Sequence, residues 1–331
     1  EQYPRQQRGL LSRPTVETVY QYRRHVDVAM GELLESLPQG SAEDILRRTQ
    51  LGCHHEQQHQ ELFFTDLKYC WFQNPLYPAY SNVPLPPADA AGPLTWQSFR
   101  GDLQSIGHDG HGFCFDNELP RHQQYVHGFQ LADRLVTNGE FLAFMADGGY
   151  QRPELWLADG WTALAADDRQ VTAPLYWVKQ GDEWHEYTLH GLAPLDSDRP
   201  ACHLSAYEAD AYARWSGCRL PTEFEWEVAA AASQPASQHH SSDSEPEVHP
   251  GSPQPTGCLW QWTSSAYAPY PGFHAADGAI GEYNGKFMAN QLVLRGGSVV
   301  TSPGHYRHSY RNFFYPPDQW QFTGVRLAKE A

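Results

Sequence analysis

Apolar positions fall at helical spacing through the first quarter of the chain. Between residues 12 and 36, Val16, Val19, Tyr20, Val26, Met30, Leu33 and Leu34 recur along one face of a 3.6-residue period. Pro38-Gln39-Gly40 interrupts the pattern. Ser41-x-x-Asp44 then has the form of a capping box ahead of Ile45 and Leu46, and the helical pattern runs on to about Trp71. Two helices in antiparallel order are predicted. Two helices alone bury little surface, so a bundle completed by helices upstream is expected. The stretch NPLYPAYSNVPLPPADAAGP ends the helical region. Beyond it short apolar runs alternate with Gly, Pro, Asn and Asp. Helical spacing returns clearly in TNGEFLAFMADGG and SAYEADAYARWSG, which predicts an irregular α+β domain. Residues 232–257 are polar and rich in Pro and Ser, and read as a surface loop. His239 and His240 lie in that loop, which cannot preorganise a metal site.

Composition narrows the function classes. The 331 residues carry 39 Asp and Glu against 23 Lys and Arg, a formal charge of −16 that argues against a nucleic-acid partner. No apolar run approaches the roughly 18 residues of a membrane span. The six cysteines are scattered without a CxxC pair, which in a chain of this length predicts reduced thiols and a cytoplasmic location. Eleven Trp and 18 Tyr, alongside 27 Gly and 25 Pro, predict a loop-rich domain pinned by large rings. The first residue is Glu1 and the opening EQYPRQQRGLLSRP has no start-like character, so the chain reads as a fragment or a processed form.

The candidate chemistry sits in CHHEQQHQEL, residues 53–62. His55 and His59 are four apart, so both imidazoles project from one helix face and can share a metal. The stretch also contains H-E-x-x-H, the helical zinc-protease signature, in which Glu56 would be the general base. The metzincin continuation fails, because Leu62 stands where its Gly belongs and Thr65 where its third His belongs. A zinc protease is therefore a remote alternative. Histidines that merely satisfy a helix face are the bland alternative. Gln and Glu neighbours able to support metal ligands favour the metal reading.

In the second half, RLPTEFEWE, GCLWQWTSSAYAPYPGF, VLRGGSVVTSPGHYRHSYRNFF and FTGVRLAKE stand out. Gly296-Gly297 predicts a tight turn, Trp260 and Trp262 a common strand face, and Arg295, Arg311 and Arg326 ion-paired frame residues. This set resembles the formylglycine-generating-enzyme (sulfatase-modifying factor) fold, which is C-type-lectin-like. Copper-using members carry a cysteine pair shortly after the RGGS turn. Val299 to Tyr306 contains none, so the oxidase activity is not expected.

A histidine-bearing helical segment followed by this fold resembles the ergothioneine-biosynthesis sulfoxide synthases, which join a DinB-like bundle to a formylglycine-generating-like domain. RGLLSRPTVETVYQYRRHVDVAM and LGCHHEQQHQELFFTDLKY carry the first part of that resemblance. It implies an α+β chain with a partial DinB-like bundle over residues 1–75, a linker over 76–95 and the formylglycine-generating-like domain over 96–331. It implies iron(II) as cofactor and O2 as co-substrate, with the sulfur of a thiol joined to the imidazole carbon of hercynine. By position, His55 and His59 resemble two of three iron ligands, with the third expected upstream of residue 1. Gln58 resembles a contact to the substrate imidazole, Asn312 and Phe313 the hercynine end of the site, and Tyr283 a tyrosine that reaches the imidazole through water. Aromatics suited to a quaternary ammonium are Tyr310, Phe313, Phe314 and Trp320. Arg5 or Arg8 is placed to pair with the thiol substrate's carboxylate, against the alternative of a solvated terminus.

Phe314 and Asp318 stand where the γ-glutamylcysteine branch carries Asp and Arg, and Ile280 where that branch carries a tyrosine. These departures favour cysteine as the donor, with γ-glutamylcysteine as the alternative. An ovothiol-type synthase would bring a methyltransferase domain, which nothing here resembles. An inactive homologue that binds a small cation is the remaining alternative.

Overall fold

A computed structural model describes residues 4–10, 12–166, 171–233 and 248–331. The loop that carries His239 and His240 lies largely outside the described residues. Two compact units divide at Cys53/His54.

The first unit holds helix α1 (Val16–Glu35) and the start of α2 (Ala42–Phe72). Thr15 caps α1 by accepting from the Thr18 amide. Along the apolar stripe read from the sequence, Val16, Val19, Tyr20 and Leu34 are exposed and Val26, Met30 and Leu33 half-buried; no α1 residue is fully buried. At the start of α2, Asp44 pairs with Arg48 and Arg47, and no bond returns it to Ser41 among the described residues.

The second unit begins with the histidine half of α2. It continues through β1 (Trp96–Phe99), β2 (Asp102–Ile106), β3 (His122–Val126) and β4 (Phe129–Ala132), then α3 (Asn138–Ala146) and α4 (Ala158–Ala166). Next come β5 (Trp177–Gln180), β6 (Glu183–Thr188), β7 (Gly191–Pro194), α5 (Ala206–Trp215) and α6 (Glu223–Ala232). The chain closes with β8 (Trp260–Ala266), β9 (Leu292–Arg295), β10 (Asn312–Phe314), β11 (Thr323–Gly324) and β12 (Ala328–Glu330). The strands form four small sheets, ordered β1-β4-β12, β10-β9-β8-β11, β2-β3 and β5-β6-β7. Many short strands joined by long connections are what an irregular, ring-pinned α+β domain requires.

Helices α3 and α5 match the two predicted stretches, and each opens on a capping box, Thr137 with Glu140 and Ser205 with Glu208. Helices α4 and α6 are additional. The α6 signal was present in Thr222-Glu223-Phe224-Glu225, a third capping box in which the Glu225 carboxylate also receives a bidentate bond from Arg219.

The four-stranded sheet positions the site. Trp260 and Trp262 on β8 are both buried, and each indole N–H has a partner: Glu61 for Trp260 and the Leu204 carbonyl for Trp262. Gly296 and Gly297 follow β9 at φ 110° and 72°. A Cβ on Gly296 would lie 2.6 Å from the Gln261 amide, so the turn needs glycine for space as well as for conformation. Arg295 bonds Glu223 and Glu227, and Arg311 bonds Glu223. Burial raises the Glu223 pKa, but the two guanidiniums outweigh it and hold the carboxyl below its usual range. Arg326 departs from expectation. It donates to the Ala132 carbonyl instead of a carboxylate, and burial pulls its pKa down to about 10.

Phe64 and Leu67 of α2 pack on a core of Leu135, Leu189, Leu259, Val299, Val300 and Phe322. One turn on, the fully buried Lys68 bonds the His203 ring at 2.8 Å and lies over the rings of Tyr176 and Phe322. Nearby, burial pushes Glu186 up to about 7 despite Lys68 and Arg199. A carboxyl whose folded pKa lies above its unfolded value contributes stability below about 4.5 that is lost as pH rises through about 7, up to about 3 kcal/mol. Glu186→Gln lacks that titration. Its thermal midpoint should therefore gain on the wild type's between pH 5 and pH 8. Parallel midpoint curves for the two proteins would contradict this.

Candidate active site

The histidine half of α2 is fastened by one buried carboxylate. Glu61 accepts from Trp260 Nε1 at 2.6 Å, Ser298 Oγ at 2.7 Å and Thr301 Oγ1 at 2.8 Å. Burial raises its pKa and the three donors oppose that shift. Gln60 accepts from Ser302, and Gln57 reaches the Pro303 carbonyl. The 298–303 turn thereby fixes the rotation of the helix and decides what its other face presents.

That other face presents His55, Gln58, His59 and Leu62 to a cavity of about 310 Å³. Asn117 and Phe115 line it from the segment before β3. Tyr283, Asn284 and Phe287 come from the turns before β9, and Tyr310, Arg311, Asn312 and Phe313 from β10 and its approach. The His55 and His59 rings stand edge to face with centroids 4.6 Å apart. Neither ring makes a hydrogen bond among the described residues. Burial, then the neighbouring His59, lowers the His55 pKa and so favours the neutral, metal-binding form. This donor pair fits part of a metal site. No cluster of three His, Cys, Asp or Glu side chains able to hold a metal occurs among the described residues.

Gln58 is held between two tyrosines. Its Nε2 donates to Tyr310 Oη at 2.6 Å, and its Oε1 accepts from the Tyr283 hydroxyl. Burial pushes the pKa of both phenols up, so both remain protonated donors. Opposite the helix the wall is aromatic. Phe313 stacks on Tyr267 with centroids 4.0 Å apart and lies 5.9 Å from Phe287, while Phe115 stacks on Tyr283 at 5.5 Å.

The predicted residues His55, His59, Gln58, Tyr283, Asn312 and Phe313 all line this one cavity. So does Tyr310. Phe314 lines an adjoining cavity of about 190 Å³. Trp320 lines neither; it packs edge-on against Phe314 with centroids 5.8 Å apart, in the connection between β10 and β11. The side chains of Arg5 and Arg8 lie outside the described residues. Glu56, the base a zinc protease would need, does not line the cavity. Phe115, Asn284 and Phe287 were not flagged by the sequence, because no local pattern distinguishes them from the other rings of a loop-rich domain. A larger cavity of about 360 Å³ around His108 and Arg121 holds neither histidine of the pair, and its Glu227 is already bonded to Arg295 and the Gly107 amide.

The sulfatase-modifying factor enzyme 1-like domain model matches residues 98–257 and 251–331, most of the chain. The chain belongs to this family. In this family member the turn after Gly296-Gly297 carries no cysteine; Ser298 and Thr301 hold Glu61 there. Among relatives, the hercynine oxygenase of Mycolicibacterium smegmatis is 33% identical over 246 residues, covering 64% of this chain and 55% of that protein. The hercynine oxygenase of Mycobacterium tuberculosis is 35% identical over 244 residues, covering 64% and 55%. Ergothioneine biosynthesis protein 1 of Schizosaccharomyces pombe is 27% identical over 276 residues, covering 76% and 33%. The resemblance read from the sequence is borne out by these relatives. The chain spans about half the length of the two hercynine oxygenases. Among the described residues no helix is long and apolar enough to cross a membrane.

Proposed function

We propose that the α2 cavity belongs to an iron(II)- and O2-dependent sulfoxide synthase that joins the sulfur of cysteine to the imidazole carbon of hercynine. The observation that carries this reading is one cavity with two histidine imidazoles at one end and stacked aromatic rings at the other. His55 and His59 would hold the metal, completed by a further ligand outside the described residues. Two imidazoles suit iron(II). When bound, the iron would supply O2 activation and a place for the thiolate. The chain's own residues bind and orient. Phe313, Phe287 and Tyr283 offer ring faces to a trimethylammonium group, Gln58 offers hydrogen bonds to the imidazole, and Asn312 lines the same wall. The relatives named hercynine oxygenase support the substrate.

Cysteine is the better-supported thiol. Phe314 gives the adjoining cavity an apolar lining, and Asp318 stands where an arginine would grip the glutamyl end of γ-glutamylcysteine.

Anaerobic calorimetry with the iron(II)-loaded protein tests the reading. Hercynine should bind more tightly than histidine, since cation–π attraction contributes roughly 1–2 kcal/mol when desolvated. Phe287→Ala should weaken hercynine about tenfold and histidine much less. Equal affinity for the two ligands, or no binding of either, would remove hercynine as the substrate.

A further inference from the structure

We propose that His305 and Tyr310 are positioning residues that fix the polarity of the Gln58 amide, so that its carbonyl end is the one shared with Tyr283 at the cavity. This rests on the reading of the cavity as an imidazole site. The two ends of a glutamine amide have nearly the same shape and opposite hydrogen-bonding character, so a free Gln58 would present either. Recognition of an imidazole N–H needs the acceptor end held in place.

The structure supplies a directed chain of hydrogen bonds that begins at a group able only to accept. The Pro303 carbonyl receives Gln57 Nε2 at 3.5 Å, which leaves Gln57 Oε1 as an acceptor. That oxygen faces His305 Nδ1 at 3.2 Å, so the ring proton belongs on Nδ1. The same nitrogen also faces His54 Nδ1 at 3.0 Å, a bond that the same proton serves. His305 is fully buried, and burial, Arg307 and His54 push its pKa down to about 3; the ring is neutral and Nε2 is bare. Nε2 lies 3.2 Å from Tyr310 Oη and must accept the phenol proton. The Tyr310 oxygen is then an acceptor, and only the NH2 end of Gln58 satisfies it, at 2.6 Å. Gln58 Oε1 is left toward Tyr283 and the cavity, with a lone pair to spare for a ligand N–H. Tyr310 and His305 touch neither the metal-binding pair nor a bound substrate directly in this scheme; they act through Gln58.

Two measurements decide it. Nitrogen-15 NMR of the histidine rings in the wild-type protein should show His305 protonated at Nδ1 and bare at Nε2. The opposite tautomer would overturn the proposal and needs no ligand or turnover. In the iron(II)-loaded protein without O2, Tyr310→Phe should weaken hercynine about three- to tenfold, the effect of one hydrogen bond. It should also shrink the preference for hercynine over its ring-N-methylated analogue toward unity, while His305→Gln, which keeps an acceptor for Tyr310, retains most of that preference. A purely structural role would weaken both ligands by the same factor, and that result would overturn the proposal. Failure of the wild type to bind hercynine counts against the functional reading alone, because the tautomer measurement still decides this one.

Discussion

Alanine at His55 or at His59 is expected to cost the protein its iron and its turnover together. The two rings sit one helical turn apart with centroids 4.6 Å apart and share the cavity with Gln58. Loss of groups that merely support metal ligands costs about 10- to 100-fold in affinity or activity. Removing a ligand outright should cost at least about a thousandfold, with iron content after desalting falling well below one per chain. Metal analysis and product formation on the same samples check this. Cys53→Ala, on the neighbouring exposed position, serves as the control and should change neither. Full iron content in both histidine variants would show that the iron is held elsewhere.

The second large effect is expected at Glu61. Its carboxylate receives the Trp260 indole and the Ser298 and Thr301 hydroxyls, all in the buried contact that sets the rotation of α2. In Glu61→Leu the two hydroxyls, 3.3 Å apart, can turn toward each other, but the Trp260 N–H loses its partner. A buried donor left unsatisfied costs about 1–3 kcal/mol, and bonds to a charged group about 1.5–3 kcal/mol each, so a loss of about 3 kcal/mol is expected. Glu61→Gln keeps one acceptor and should lose about half of that. The urea midpoint followed by Trp fluorescence reports stability, and iron affinity reports the rotation of His55 and His59. Glu61→Leu should lower both. Unchanged iron affinity in a destabilised Glu61→Leu protein would mean that the rotation of the helix is set by its other contacts.

The contrast between these sites explains what was legible in the sequence. The histidine pair is a local feature: residues four apart on one helix have a fixed geometry, so the placing of His55 and His59 on one face could be read directly. Glu61 is two residues further on and reads only as part of the opposite face. Its meaning comes from partners near residues 260 and 300, which no periodicity connects to it. The cavity wall behaves in the same way. Asn312 and Phe313 were reachable through the resemblance of the RNFF stretch, whereas Phe115 and Phe287 arrive from irregular segments whose conformation depends on the finished fold. Helix α6 is a different case. Its capping box was readable, but Phe224 and Trp226 gave the segment a strand-like texture. Arg326 shows the limit of inference from residue type, because a buried arginine can be satisfied by a carbonyl as well as by a carboxylate.

If this cavity couples O2 to a thiol and an imidazole, the iron(II)-reconstituted protein should consume oxygen only with the right pair of substrates. Uptake is to be measured with hercynine alone, cysteine alone, both together, and hercynine with γ-glutamylcysteine. Sustained uptake is expected only when hercynine and a thiol are both present, faster with cysteine, with one O2 consumed per sulfoxide formed and water as the other product. Uptake that is indifferent to hercynine, or none under any of the four conditions while iron and hercynine are both bound, would contradict it.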